Sequence, residues 1–302
     1  MQATFRTYAT AAVAAGLLTV TACGNANSQS SAVSSASSSA PSVDEKLAAM
    51  VPENIRQAGE VRVGTDPTYA PFESTDTDGK TIVGLDPDLA KAIGGKLGLE
   101  VEFVPTGFDA LIPALDANKV DMAMSSIGDT KKREETVDFA TYYWNGSLLL
   151  VGKGNPKELK ADQTCGGRIG VIRGSLQQTT FLPAQEASCK AAGKPAPTAD
   201  VYQTAPQAQL ALQSNRVDGV LTDAPPVADA AKKNPEKFES VGPLLKNPNP
   251  GGVALPKDSK LTEAVSAAIN ELISDGTYGS LLEKWNLGDI KIEKSEINGA
   301  VS

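Results

Sequence analysis

No histidine occurs in the chain. That absence removes Ser-His-Asp and Cys-His nucleophile systems and every zinc site built on imidazole. Chemistry or recognition is left to carboxylates, lysine, arginine, tyrosine, hydroxyls or a cofactor. Two polar side chains, Ser126 and Asp223, fall at matching places in an internal repeat. The stretch Ala114-Leu115-Asp116-Ala117-Asn118-Lys119-Val120-Asp121-Met122-Ala123-Met124-Ser125-Ser126 aligns with Ala211-Leu212-Gln213-Ser214-Asn215-Arg216-Val217-Asp218-Gly219-Val220-Leu221-Thr222-Asp223. Each copy reads as the end of an amphipathic helix, an Asn-Lys or Asn-Arg turn, and a buried strand ending in polar residues. Open α/β sheets gather ligands at the carboxyl ends of their strands, so each copy contributes one candidate contact. The competing role for Asp223 is a helix N-cap before Ala224-Pro225.

The elements that must position these residues also come in two sets. Val61-Arg62-Val63-Gly64-Thr65 and Arg168-Ile169-Gly170-Val171-Ile172 are short strands running into loops. Helices are expected from Asp86-Pro87 onward and over residues 176–191. Strand-helix-strand-helix-strand written twice predicts an α/β fold of two parallel-sheet lobes. Residues 51–146 with 252–302 would form one lobe and residues 147–251 the other. Lys246-Asn247-Pro248-Asn249-Pro250-Gly251-Gly252 interrupts the pattern as a crossover would. Helices expected over 261–274 and 278–285 are too small to be a domain and would pack back on the first lobe. The chain then crosses twice, near Gly146 and near Gly251, which is a hinge, and the cleft between lobes becomes the expected site. Tyr143 and Trp144, beside the first crossover, read as hinge packing rather than cleft wall.

A 41% hydrophobic, 21% charged composition excludes wholesale disorder, and a net charge of −8 disfavours non-specific nucleic acid binding. Residues 1–8 carry one charge, Arg6, and residues 9–20 form an apolar run too short to span a bilayer, which takes ~20 residues. Val20-Thr21-Ala22-Cys23 resembles the lipobox of bacterial lipoproteins, which implies removal of residues 1–22 and lipidation of Cys23. Residues 23–50, rich in Ser and Ala, would be a flexible tether. The expected product is exported, anchored to a membrane by lipid, and otherwise soluble. An oxidising compartment favours a disulfide between Cys165 and Cys189, the alternative being two buried thiols.

Several motifs in order resemble those of bacterial extracellular solute-binding proteins of family 3, the polar amino acid receptors of ABC importers. They are Gly64-Thr65-Asp66-Pro67-Thr68-Tyr69-Ala70-Pro71-Phe72-Glu73, Gly84-Leu85-Asp86-Pro87-Asp88-Leu89-Ala90, Phe108-Asp109-Ala110-Leu111-Ile112-Pro113-Ala114-Leu115, Thr130-Lys131-Lys132-Arg133 and Asp275-Gly276-Thr277-Tyr278. The resemblance spans about residues 58–290. It implies a periplasmic-binding-protein-like (type II) fold with a two-crossover hinge, a monomer that captures an amino acid and hands it to a membrane permease, and no cofactor, metal or catalytic group. It makes Arg133 the fork for the ligand carboxylate, where position alone would suggest a surface arginine beside two lysines. Ser126, with backbone N–H groups around Thr130, would complete that anion site, and Asp223 would meet the ammonium. Tyr69 and Phe108 would wall the ligand stem. Asp66 would face a cationic side chain, as in the lysine/arginine/ornithine and histidine receptors.

Ser125, Ser126 and Gly128 are the polar stretch of that motif, and Gly128 stands where those receptors have a serine. Leu176 stands where they have a threonine that meets the ligand carboxylate, so Ser175 and Gln177 are the expected replacements. Two other classes remain open: a cyclohexadienyl dehydratase-like enzyme on the same fold, and a sensing module for a separate signalling partner.

Overall fold

The computed structural model describes residues 43–302, so the expected export segment, Cys23 and the tether as far as residue 42 lie outside the described residues. The internal repeat has a specific physical basis. Asn118 and Asn215 both take the left-handed backbone conformation (φ 53° and 57°), which Asn tolerates better than most residues. Each thereby stops its helix and turns the chain into a strand. The Asp three residues later reaches across to an Arg on the neighbouring parallel strand of its own lobe. Arg62 Nη2 donates to Asp121 Oδ1 at 2.8 Å and to the Asn118 carbonyl at 3.1 Å. Arg168 Nη2 donates to Asp218 Oδ1 at 2.8 Å and to the Asn215 carbonyl at 2.9 Å. The same clamp closes the bottom of both lobes.

In chain order the strands are β1 (Glu60–Thr65), β2 (Thr68–Tyr69), β3 (Glu73–Thr75), β4 (Ile82–Val83), β5 (Glu100–Pro105), β6 (Met122–Ala123), β7 (Val137–Tyr143), β8 (Gly146–Gly152), β9 (Arg168–Ile172), β10 (Thr198–Tyr202), β11 (Gly219–Asp223), β12 (Phe238–Lys246) and β13 (Gly251–Pro256). The first lobe is built on the sheet β5-β1-β6-β13-β7 and the second on β10-β9-β11-β8-β12; β2-β3-β4 form a small antiparallel sheet. The two-lobed α/β fold is therefore present, with one correction: the sheets are mixed, not parallel. β13 pairs antiparallel with β6 and β7, and β8 pairs antiparallel with β11 and β12. The reason is the chain path. The other strands point their carboxyl ends at the cleft, while β8 and β13 enter their lobes from it, so each runs the opposite way.

Helix Leu85–Leu97 and the two C-terminal helices, Lys260–Ser274 and Thr277–Lys284, cover the first sheet. Leu261, Val265, Ile269, Leu272 and Tyr278 are buried in the same core as Val63, Leu89 and Ile93. Burying an aliphatic side chain of this kind stabilises by about 1.5–3 kcal/mol. The expected tether is also shorter at its far end: Asp44 already N-caps the helix Glu45–Met50, and its backbone N–H bonds the Lys96 carbonyl at 3.0 Å. Cys165 and Cys189 form a disulfide with a separation of 24 residues. Closing a loop of that length is worth about 3–4 kcal/mol on the chain-entropy model. No helix among the described residues is long and apolar enough to cross a membrane.

Candidate functional site

Between the lobes lies a cleft with about 520 Å³ of unfilled space, part of it open to solvent. Asp66, Tyr69, Phe108, Ser125, Ser126, Gly128, Arg133, Ser175, Gln177 and Asp223 all line it. The lobes meet directly across it. Tyr69 Oη lies 2.6 Å from Thr222 Oγ1, and Arg133 Nη2 donates to the Gly174 carbonyl at 2.9 Å. Of the expected site residues only Thr130 stands apart. Its hydroxyl accepts the Arg133 backbone N–H at 3.1 Å as the N-cap of the four-residue helix Lys131–Glu134, so it orients Arg133 and does not face the cavity.

Arg133 sits at one end of the cleft. Its Nη1 also donates to the Gly128 carbonyl, and its guanidinium lies over the Phe108 ring, 5.8 Å from the centroid. Burial lowers its pKa, and nearby Tyr143, Asp223 and Asp129 oppose the shift. A guanidinium has five N–H donors, so two carbonyls leave capacity for a carboxylate. Asp223 is 8% exposed and ends β11. No side-chain cap bond comes from it, which decides against the N-cap role. Gln177 Nε2 donates to Asp223 Oδ1 at 2.8 Å and to Ser147 Oγ at 2.8 Å. The expectation that Gln177 would replace a carboxylate contact is thus corrected: its amide is spent holding Asp223. Ser126 moves the same way. Its Oγ lies 3.2 Å from both Asp223 Oδ2 and Tyr143 Oη, placing it with the acid and not with the expected anion site. Burial raises the Asp223 pKa against these hydrogen bonds.

Asp66, 6% exposed, accepts from Thr68 Oγ1 at 2.7 Å and from the Phe108 N–H at 3.1 Å. Burial nevertheless pushes its pKa up. Sequence reasoning passed over one cleft residue, Glu73, and placed another, Tyr143, only at the hinge. Tyr143 lines the cleft as well as packing at the hinge, where its ring lies so close to Gly251 that a Cβ there would fall 2.0 Å from it. Trp144 is the hinge residue, 44% exposed, with Nε1 bonded to the Asn247 carbonyl at 2.9 Å. Glu73, fully buried, also lines the cleft. It stood inside a quoted motif, and an acid in a short strand flanked by Phe72 was the available signal.

Gly128 and Leu176 explain each other. A Cβ on Gly128 would lie 2.7 Å from Leu176 Cδ1, so Leu176 reaches from the second lobe into space a serine would fill. An apolar contact across the cleft stands where the resemblance implied a pair of hydroxyls. Gly128→Ser is expected to obstruct closure at an overpacking cost of about 1 kcal/mol, a several-fold loss of ligand affinity. Adding Leu176→Ala should recover the loss in calorimetric titration; a double variant no better than the single would refute the pairing.

A family model described as bacterial extracellular solute-binding proteins, family 3, matches residues 61–288. The chain is 31% identical to arginine-binding protein ArgT of Corynebacterium glutamicum over 253 residues, covering 84% of this chain and 83% of that protein. It is 34% identical to the lysine/arginine/ornithine-binding periplasmic protein of Escherichia coli strain K12 over 235 residues, 74% of this chain and 86% of that one. Among solved structures, an ancestral arginine-binding protein bound to arginine superposes with a TM-score of 0.68 at 36% identity, over 75% of this chain and 98% of that chain.

Proposed function

The chain belongs to the bacterial extracellular solute-binding proteins of family 3, and from that premise we propose that its ligand is a free amino acid with a cationic side chain. The protein is the extracytoplasmic substrate-binding component of an amino acid ABC importer, a binding protein and not an enzyme. The observation that carries the ligand class is the charge of the cleft. Among the described side chains lining it, Asp66, Glu73 and Asp223 are acidic and Arg133 alone is basic. A zwitterion uses one acid and the guanidinium, and its charges must be matched because an unpaired buried ion is costly. The acids left over fit a further positive charge. Relatives named for arginine, histidine and lysine/arginine/ornithine support the same class.

In this reading Arg133 takes the α-carboxylate, Asp223 with Ser126 takes the α-ammonium, and Tyr69 and Phe108 exclude water from the stem. The lobes hinge at the two crossovers to admit the ligand. The mature chain acts as a monomer, held at the membrane by lipid on Cys23. Thermal-shift screening tests the ligand class. A ligand at a hundredfold its Kd adds about 2.7 kcal/mol to stability. L-Arginine, L-lysine, L-ornithine or L-histidine should then raise the melting temperature by roughly 5–10 °C. A rise with only glutamate or neutral amino acids would reject a cationic ligand. Cys23→Ser should move the protein from membranes to the soluble fraction, and retention there would reject the anchor.

A further inference from the structure

Glu73 is the one acid of the cleft whose bonding is incomplete. Its side chain is fully buried on β3. Oε1 accepts from Ser125 Oγ at 2.9 Å, the same hydroxyl that accepts the Asp66 N–H at 3.1 Å. Oε2 is buried without a donor. A buried carboxylate oxygen in that state is expensive, so the group holds a proton or waits for a cation.

The neighbours decide which. Asp86, at the start of helix Leu85–Leu97, interacts with Glu73 directly and is itself buried. Asp86 has two donors of its own: the Ser126 N–H at 2.9 Å and the Tyr142 hydroxyl at 2.7 Å. Both favour an Asp86 anion, although burial still raises its pKa to about 6, whereas Glu73 has one donor only. The other charged or titratable groups facing Glu73 are Asp66, on the loop after β1, and the Tyr142 phenol on β7. Burial first, and then the adjacent Asp86, push the Glu73 carboxyl well above its ordinary range. Asp86 is the proton's natural acceptor, since a protonated Glu73 bonds an oxygen that an ionised one repels.

We propose that Glu73 is a specificity-determining residue that carries a proton in the empty cleft and releases it to solvent when a cationic ligand side chain seats between Glu73 and Asp66. The ligand's guanidinium or ammonium supplies the positive charge that the proton had supplied to Glu73. This rests on the amino acid receptor reading above and deepens it: a neutral side chain of the same shape leaves the proton where it is. The sign follows from linkage. The ligand lowers the pKa of Glu73, so between the bound and empty values binding releases a proton, and affinity rises with pH up to tenfold per unit.

Calorimetric titration with L-arginine and with its neutral isostere L-citrulline tests the idea, in buffers of different ionisation heat from pH 6 to 8. The wild-type protein should release protons on binding arginine and bind arginine more tightly at pH 8 than at pH 6. Glu73→Gln should release almost none, lose the pH dependence, and bind arginine at pH 8 at least about tenfold more weakly, the range for a hydrogen bond to a charged group. Circular dichroism melting establishes that this variant is folded. Asp66→Asn separates the two acids: it should weaken arginine but keep the proton release. Arginine binding without proton release, or undiminished by Glu73→Gln, overturns the proposal and leaves the receptor reading intact. So does citrulline binding as tightly as arginine. A wild-type protein that binds no amino acid overturns both.

Discussion

Arg133→Ala is expected to weaken amino acid binding at least a hundredfold. Among the described residues Arg133 is the only basic side chain lining the cleft, and it ties the first lobe to the Gly174 carbonyl of the second. Its backbone is fixed by the Thr130 cap and its guanidinium by the Gly128 carbonyl and the Phe108 face, so the fork is oriented before a ligand arrives. Without it, a carboxylate enclosed by the lobes has no counter-charge, which costs roughly 3–5 kcal/mol, or two to three powers of ten in affinity. Lys131→Ala and Lys132→Ala are the controls. Their ammonium groups pair with Glu134 and Glu135 on the outside of the same short helix, and exposed pairs are worth little. Calorimetry with the best-binding amino acid reads all three. Wild-type affinity in a folded Arg133→Ala protein would mean that the ligand has no α-carboxylate.

Asp223→Asn is expected to cost a similar factor for a different reason. The asparagine fills the same volume at the end of β11 and keeps an oxygen for Gln177 Nε2, so the fold should be retained. It removes the only negative charge that the second lobe offers among the cleft-lining residues. An α-ammonium would then be dehydrated against an amide, again about a hundredfold loss or more. Unaltered melting temperature with lost binding is the expected pairing of results. Retained affinity would place the ammonium elsewhere, with Glu73 or Asp66 as the remaining acids.

How much of this could be read beforehand depended on the kind of information needed. The repeat was legible because it encodes local chemistry: an Asn that bears a left-handed backbone, then an Asp aimed back at an Arg. Ser126 and Asp223 were found because strand ends are visible in hydrophobic patterning. Strand direction was not legible, since β8 and β13 look like any buried strand and only the path of the chain reverses them. Side-chain partners within the cleft were misassigned for a related reason. Ser126, Gln177 and Thr130 each have a choice of bonds that spacing does not reveal, and all three serve to hold a charged residue. Glu73 escaped notice because β3 spans only Glu73–Thr75, too short to show which face is buried. Gly128 and Leu176 looked like two separate losses until the lobes were seen face to face.

The insertion of β13 has a consequence for the order in which the protein is made. β13 lies between β6 and β7, with Gly251 opposite Tyr143 and Pro256 opposite Val137. β7 therefore has no partner in its own sheet until the whole of the second lobe has been synthesised. The second sheet, by contrast, is complete within residues 146–246. Pairings so distant in sequence form slowly, because a long loop must close before they are rewarded. The first lobe, which carries Arg133, Asp66 and Glu73, stays unfinished while the chain is still emerging.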